Sequence, residues 1–427
     1  MQGLRASKGL LVVAAVLFFA GDLPAQSFRL ASIQISGSRR LPADGVVAAS
    51  GLSIGQQVSV QDLQVAADRL SELGLFDYVT FQYQSTSENL SVTFVVEETA
   101  KLRPCVFDDF VWLPRDELQA RLRAEIPLFT GTAPPGGYLI DEIRRVLQKL
   151  LDERGVRARV THVAPMSDEA GINLFRIEGV SVPVVALNFR GAERLGEGRL
   201  REASQPLLAQ NFSRSFLAAF IGGTLVPLYR SRGYLRATFR EPEVEYLGEA
   251  EGTHPVRVTL TVDEREPYRV REIRWLGNQV LSQAELEKRV SLRPGDVADT
   301  VKLAEELRTI REEEYGGRGY ILAQTEIAPQ PDDVTLTADL TIRVTEGDLY
   351  HFRALVIQGL PERAAEQLAK KWKLQPGAPF DANYLRKFIK DDVEPVLRGL
   401  TPVARNMSYS LDRSDPQKTV TVILRFR

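Results

Sequence analysis

The feature that most constrains this chain is a short pattern that returns in register: apolar, any residue, apolar, any residue, Gly. It reads Ile33-Gln34-Ile35-Ser36-Gly37, then Leu187-Asn188-Phe189-Arg190-Gly191, Ile273-Arg274-Trp275-Leu276-Gly277 and Leu355-Val356-Ile357-Gln358-Gly359. Each copy carries little weight alone. What gives it weight is that a helical stretch follows each one, closed by a second Gly about 40 residues on, at Gly74, Gly233, Gly319 and Gly399. A period of about 80 residues predicts an array of small modules rather than one large core. Gly37, Gly191, Gly277 and Gly359 are expected to serve the backbone, as turn positions needing positive φ or a close approach of another chain segment.

The fourth unit shows the order of elements most clearly. Val270–Leu276 is a β-rich run, and Ser282 with Glu285 makes a capping box that opens a short helix. Leu292-Arg293-Pro294-Gly295 breaks the chain, and a second helix follows from about Asp299 to Tyr315 with Leu303, Leu307 and Ile310 on one face. Strands are then expected over Tyr320–Ala328 and Val334–Val344, where alternate apolar residues mark a half-buried strand. The order is β-α-α-β-β. Units one and five repeat it, with Leu52-Ser53-Ile54-Gly55 and Leu374-Gln375-Pro376-Gly377 at the break. Strands Val79–Tyr83 and Ala404–Ser410 follow their second helices, and Val396 and Leu397 belong to the apolar face of the last helix.

Units two and three fit less well. Unit three has no Leu-x-x-Gly break, and Gly222, Gly223 and Pro227 should kink or interrupt its second helix. Unit two lacks the Gly-ended first strand. It keeps an amphipathic helix through Ile140, Ile143, Val146, Leu147, Leu150 and Leu151, ended by Gly155, and is placed by spacing. The expected fold class is α+β, five tandem modules over 26–99, 100–180, 181–266, 267–346 and 347–427, each a three-stranded sheet on two helices. Short joints such as Glu264–Tyr268 and Thr345–Tyr350 favour an elongated, semi-rigid, bent rod.

Composition narrows the function. Apolar residues make up 44% and charged residues 26%, which excludes a largely disordered chain. Net charge is −2 with both signs interleaved, so no nucleic-acid partner is expected. Arg5 and Lys8, the apolar run Gly9–Ala20 and Leu23-Pro24-Ala25 read as a signal peptide over 1–25, which implies export. The lone Cys105 cannot form an intramolecular disulfide and reads as a small buried hydrophobe.

These residues and their order resemble the POTRA domain family, in which a Gly follows the first strand and a Gly-aromatic or Gly-aliphatic pair follows the second helix. Here the pair reads Gly74-Leu75, Gly233-Tyr234 and Gly319-Tyr320. Five copies behind a signal peptide resemble the periplasmic half of BamA-type outer-membrane assembly factors. Those proteins continue into a membrane barrel, whose amphipathic strand ladder this sequence does not contain, so their insertase activity is not expected of it. The resemblance implies a periplasmic location, close to the outer membrane but joined to it only through partners. It also implies partners: unfolded or extended outer-membrane protein clients, and a barrel or periplasmic assembly partner. Binding would run by main-chain pairing at the exposed second strand of a module. In the family the third module is the commonest docking point, which directs attention to Leu235, Ala237 and Phe239 ahead of Pro242. Two other readings compete: a purely structural envelope scaffold, and the soluble half of an assembly factor whose barrel is a separate chain.

No enzyme chemistry is expected. His162, His254 and His351 fall in three different units without metal-ligand spacing, and the carboxylate runs Glu312–Glu314 and Asp332–Asp333 read as a helix face and a turn. Gly316-Gly317-Arg318-Gly319 ends a helix, whereas a phosphate cradle opens one. Catalytic residues, metal and cofactor are all expected to be none.

Overall fold

The computed structural model of the chain describes residues 27–164, 171–395 and 406–427. The expected signal peptide lies outside the described residues, as do Val396, Leu397, Gly399 and Ala404. The fold is mixed α+β, and the chain divides into two compact units, Met1–Val180 and Ser181–Arg427.

In the first unit, β1 (Phe28–Ser36), β2 (Gln57–Val58), β3 (Phe76–Ser85) and β4 (Asn89–Glu98) form one sheet in the order β2-β1-β4-β3. Helices Ala43–Ser50 and Val60–Glu72 lie between β1 and β3. The second helix starts where it does because Ser59 and Asp62 cap each other's backbone N–H groups. A second sheet holds β5 (Arg103–Phe107), β6 (Thr132–Ala133), β7 (Arg159–Val163) and β8 (Asn173–Glu178), ordered β6-β5-β8-β7, with helices Arg115–Glu125 and Tyr138–Asp152. The first strand that the sequence leaves unmarked is therefore present. Asp108 follows it where the other sheets have Gly, and its N–H donates to the Phe175 carbonyl at 3.0 Å.

The second unit carries three sheets. The first joins β9 (Val184–Arg190), β10 (Thr238–Phe239), β11 (Glu243–Tyr246) and β12 (Val256–Asp263), with β12 between β9 and the broken pair β10 and β11. The next is β13 (Arg269–Leu276), β14 (Gln324–Asp332) and β15 (Thr337–Thr345), ordered β13-β15-β14. The last is β16 (His351–Gln358), β17 (Met407–Ser414) and β18 (Thr419–Phe426), ordered β16-β18-β17. In every sheet the first long strand runs parallel to the last, and the strand before the last runs antiparallel to it. A parallel pair needs a long crossover, and the two helices of each segment supply it. In the fourth sheet Ala338, Leu340, Ile342 and Val344 alternate into a core with Leu303, Leu307, Ile310 and Trp275.

Several expectations change in detail, among them the strand expected over Val334–Val344, which begins at Thr337. The first three sheets have four strands rather than three: in the third the middle strand is broken into β10 and β11, and in the first two the segment between the helices adds a two-residue strand outside the first one. In the fourth and fifth sheets the same segment makes single bridges, Arg269 with Val297 and His351 with Pro379. The strand expected over Tyr320–Ala328 begins at Gln324, and the one expected from Leu235 begins at Thr238. Both starts are delayed by the same turn: Tyr320 and Tyr234 accept at their carbonyls from Ala323 and Ala237, each at 3.2 Å.

The second helix of the third segment is interrupted where Gly222 and Gly223 lie, by a π turn over Ile221–Leu225. π turns also occupy Ile310–Tyr315 and Ile389–Val393, which hold neither Gly nor Pro. The interruption recurs in all three segments of the second unit and so does not depend on the glycines. The Leu-x-x-Gly break missing from the third segment is replaced in kind. Ala209 takes φ +63 and donates to the Val184 carbonyl, as Gly295 at φ +90 donates to Val270.

Candidate functional site

Each sheet has one closed and one open edge. Outside β13, Val270 donates to Asp296 at 2.8 Å and accepts from Gly295 at 2.7 Å, so the break between the helices seals that side. Leu30 and Phe352 are sealed alike by Gln56 with Gly55 and by Ala378 with Gly377. On the other side β3, β7, β11, β14 and β17 each pair with a single strand among the described residues. Such an edge presents a row of N–H and C=O groups that an extended guest can pair with.

The third sheet's edge can be resolved residue by residue. Arg240 donates inward to Thr261 at 2.9 Å, and Leu247 donates inward to Pro255 at 3.0 Å. N–H groups alternate sides along a strand, so those of Phe239, Val244 and Tyr246 point away from β12. Between them Glu241 and Pro242 make a bulge, since Arg240 bonds Thr261 while Glu243 pairs with Thr259. On the solvent face Arg190 pairs with Glu243 at 2.9 Å and Arg257 with Glu245 at 2.7 Å. Of the three residues singled out in the sequence, Phe239 alone lies in an edge strand. Ala237 is buried and its N–H is used in the turn, and Leu235 packs against the core of the fourth sheet.

The edges differ in openness. Pro329 and Pro331 lie in β14 opposite Leu340 and Ala338, so half of that strand lacks donors for a guest. β3 has no Pro over Phe76–Ser85 and carries exposed Tyr78 and Tyr83.

The recurring glycines share one geometry. Gly277 has φ +86, and a Cβ there would fall well inside van der Waals distance of the Val344 carbonyl oxygen. Gly37, Gly191 and Gly359 meet Val96, Val262 and Phe426 in the same way. The chain crosses the end of the last strand there, and only Gly lets the two backbones approach so closely.

Sequence reasoning missed the carboxylates beside these crossings. Glu346 accepts from the N–H groups of Gln279 and Val280, each at 2.8 Å, and from the buried Tyr315 hydroxyl at 3.0 Å. Glu264 accepts from Arg194, Leu195 and the Tyr229 hydroxyl in the same arrangement. Burial, and then the facing glutamate, push both tyrosine hydroxyls well above their ordinary range. Glu98 accepts from Arg39, Arg40 and Leu41. Burial raises its pKa, but the Arg40 side chain and those three N–H groups outweigh that and hold it at about 2. The signal was available: each Glu stands two residues beyond the valine that meets the glycine.

Two of the three histidines have structural partners. His254 is buried, with Tyr246 Oη 3.0 Å from its Nδ1, and His162 Nε2 is 3.0 Å from Asn173 Oδ1. Burial pushes the Cys105 thiol up to about 12, far from the reactive range. Among the described residues no three His, Cys, Asp or Glu side chains converge as metal ligands would, and no helix is long and apolar enough to cross a membrane.

Comparison with known proteins bears on one segment of the chain. Residues 268–347 match the POTRA family model, described as surface antigen variable number repeat. A Treponema pallidum (strain Nichols) protein named "Putative outer membrane protein assembly factor" is 24% identical over 210 residues, 48% of this chain and 25% of the relative. The matched region thus spans about a quarter of that relative's length. Among solved structures, the third to fifth POTRA domains of Haemophilus influenzae BamA match at 22% identity, covering 58% of this chain and 96% of that one, with a TM-score of 0.46. The N-terminal domain of Omp85 from Thermosynechococcus elongatus matches at 18% identity, covering 58% and 98%, with a TM-score of 0.24.

Proposed function

We propose that the chain is an array of five POTRA-like β-α-α-β-β modules, bounded near 99, 180, 266 and 346, that binds extended polypeptide during outer-membrane protein assembly. It acts in the periplasm as a scaffold without catalysis, and its clients are unfolded outer-membrane proteins. The observation that carries this reading is the open edge of the third sheet, where Phe239 and Val244 direct their N–H groups away from their only pairing strand among the described residues. The POTRA match at 268–347 and the assembly-factor name of the Treponema relative support the pathway.

Main-chain pairing can be tested by removing one outward donor. Val244→Pro deletes an N–H that has no internal partner, so the sheet should keep its circular dichroism. Binding of a fluorescent, extended, barrel-derived peptide should weaken about tenfold, since a guest bond is lost and the ring obstructs its neighbours. Glu245→Pro removes an inward donor and should destabilise the sheet instead. Unchanged peptide binding by a folded Val244→Pro protein would remove this edge as the client site.

A further inference from the structure

The second unit joins its sheets by one recurring device, built twice with different chemistry. After the second helix of the third segment, the Gly233 carbonyl accepts from Tyr268 N–H at 2.8 Å, and Leu235 packs into the next core. After the fourth, the Gly319 carbonyl accepts from Tyr350 N–H at 2.9 Å, and Ile321 packs into the next core. Each tyrosine hydroxyl then donates to an aspartate in the hairpin beyond, Tyr268 to Asp333 and Tyr350 to Asp415.

The next position differs. Arg236 follows Leu235 and reaches across to Asp333 at 2.9 Å, with both side chains about half exposed. Leu322 follows Ile321 and packs into the fifth core, while Asp415 is paired by Arg413 of its own strand. The helices differ as well. Asn383 and Arg386 donate to the carbonyls of Glu313 and Glu312, at 2.7 and 2.8 Å, tying the fifth segment to the π turn of the fourth. Counted from the capping residues Asp381 and Asp299, the same places in the fourth segment hold Val301 and Ala304, which cannot donate.

We propose that the joint between the third and fourth sheets is the yielding one in this unit. It is gated by the Arg236–Asp333 ion pair, whereas the joint between the fourth and fifth, which has its own exposed pair in Asp348 and Lys418, is locked besides by the apolar packing of Leu322 and by the helix donations to the Glu312 and Glu313 carbonyls. An exposed pair is weak and is screened by salt, and buried apolar contacts are not. Ionic strength therefore loosens one joint and leaves the other.

Pulsed electron spin resonance on the full chain tests this, with spin labels on the exposed helical positions Arg199, Lys302 and Glu366 in a Cys105→Ala background. The 199–302 distance distribution should be wider than the 302–366 one, and should broaden about twofold from low salt to 1 M, where screening acts within about 3 Å. The 302–366 distribution should stay fixed. Arg236→Leu copies the stiff joint and should narrow the 199–302 distribution and abolish its response to salt. Asp333→Asn keeps an acceptor for Tyr268 but breaks the ion pair, and should give the broad distribution at low salt. Equal, salt-independent widths at both joints would overturn the proposal. So would a salt response that survives Arg236→Leu in a protein with unchanged circular dichroism.

Discussion

Gly277→Ala should be among the most damaging small substitutions in the chain. Two effects add. An L-residue at φ +86 costs about 1–2 kcal/mol in the left-handed region. The new methyl also meets a backbone carbonyl, that of Val344, so β13 or β15 must shift at a cost of roughly 1–3 kcal/mol. Together they remove about 2–5 kcal/mol from a small domain whose whole stability is of the order of 5–15. At about 4–8 °C per kcal/mol for a module of this size, its melting should fall by roughly 8–40 °C. Gly295→Ala is the control: φ is +90, but nothing lies within 4 Å of the added Cβ, so only the conformational cost applies. Hydrogen exchange read by mass spectrometry separates the modules, and peptides from residues 268–347 should lose protection while those from 351–427 keep it. Equal effects of the two substitutions would refute the claim that the carbonyl crossing sets this glycine.

Ala209→Gly should stabilise the third sheet by up to about 1 kcal/mol, because relief of φ +63 exceeds the added freedom of the unfolded chain. Urea denaturation would show a higher midpoint, and a lower one would contradict the reading of Ala209 as a strained stand-in for Gly. Glu98 contributes stability that is complete above its unfolded value of about 4.5 and is lost as pH falls towards about 2, because folding depresses its pKa. Glu98→Gln should flatten acid unfolding of the first sheet across that window, and an unaltered profile would show that Glu98 does not anchor the loop after Gly37.

Much of the fold was legible because its rules are local. Period-two alternation marked β13, β15 and β16, and the capping pair Ser282–Glu285 marked a helix start, whereas the equivalent pair Ser59–Asp62 was found only in the structure. What escaped was set by contacts distant in sequence. Tyr234–Ala237 and Tyr320–Ala323 have the composition of strands, but their side chains are needed at the next joint, so the chain turns before it pairs. The π turns carry no composition signal. β5 went unmarked because Asp108 stands where a Gly would announce its end. The edge residues were half legible: Phe239 lies on the edge, but which N–H groups face outward depends on the bulge at Glu241–Pro242, and propensity does not fix a bulge.

Main-chain pairing makes a claim about alternation, and amide exchange at single residues reads it directly. In an isotope-labelled chain with saturating extended peptide, the account predicts slowed exchange at Phe239 and Val244, with Arg240, Glu245 and Leu247 unchanged because they are already bonded inward. Uniform protection along the strand, or none at Phe239 and Val244 while peptide is bound, would contradict it.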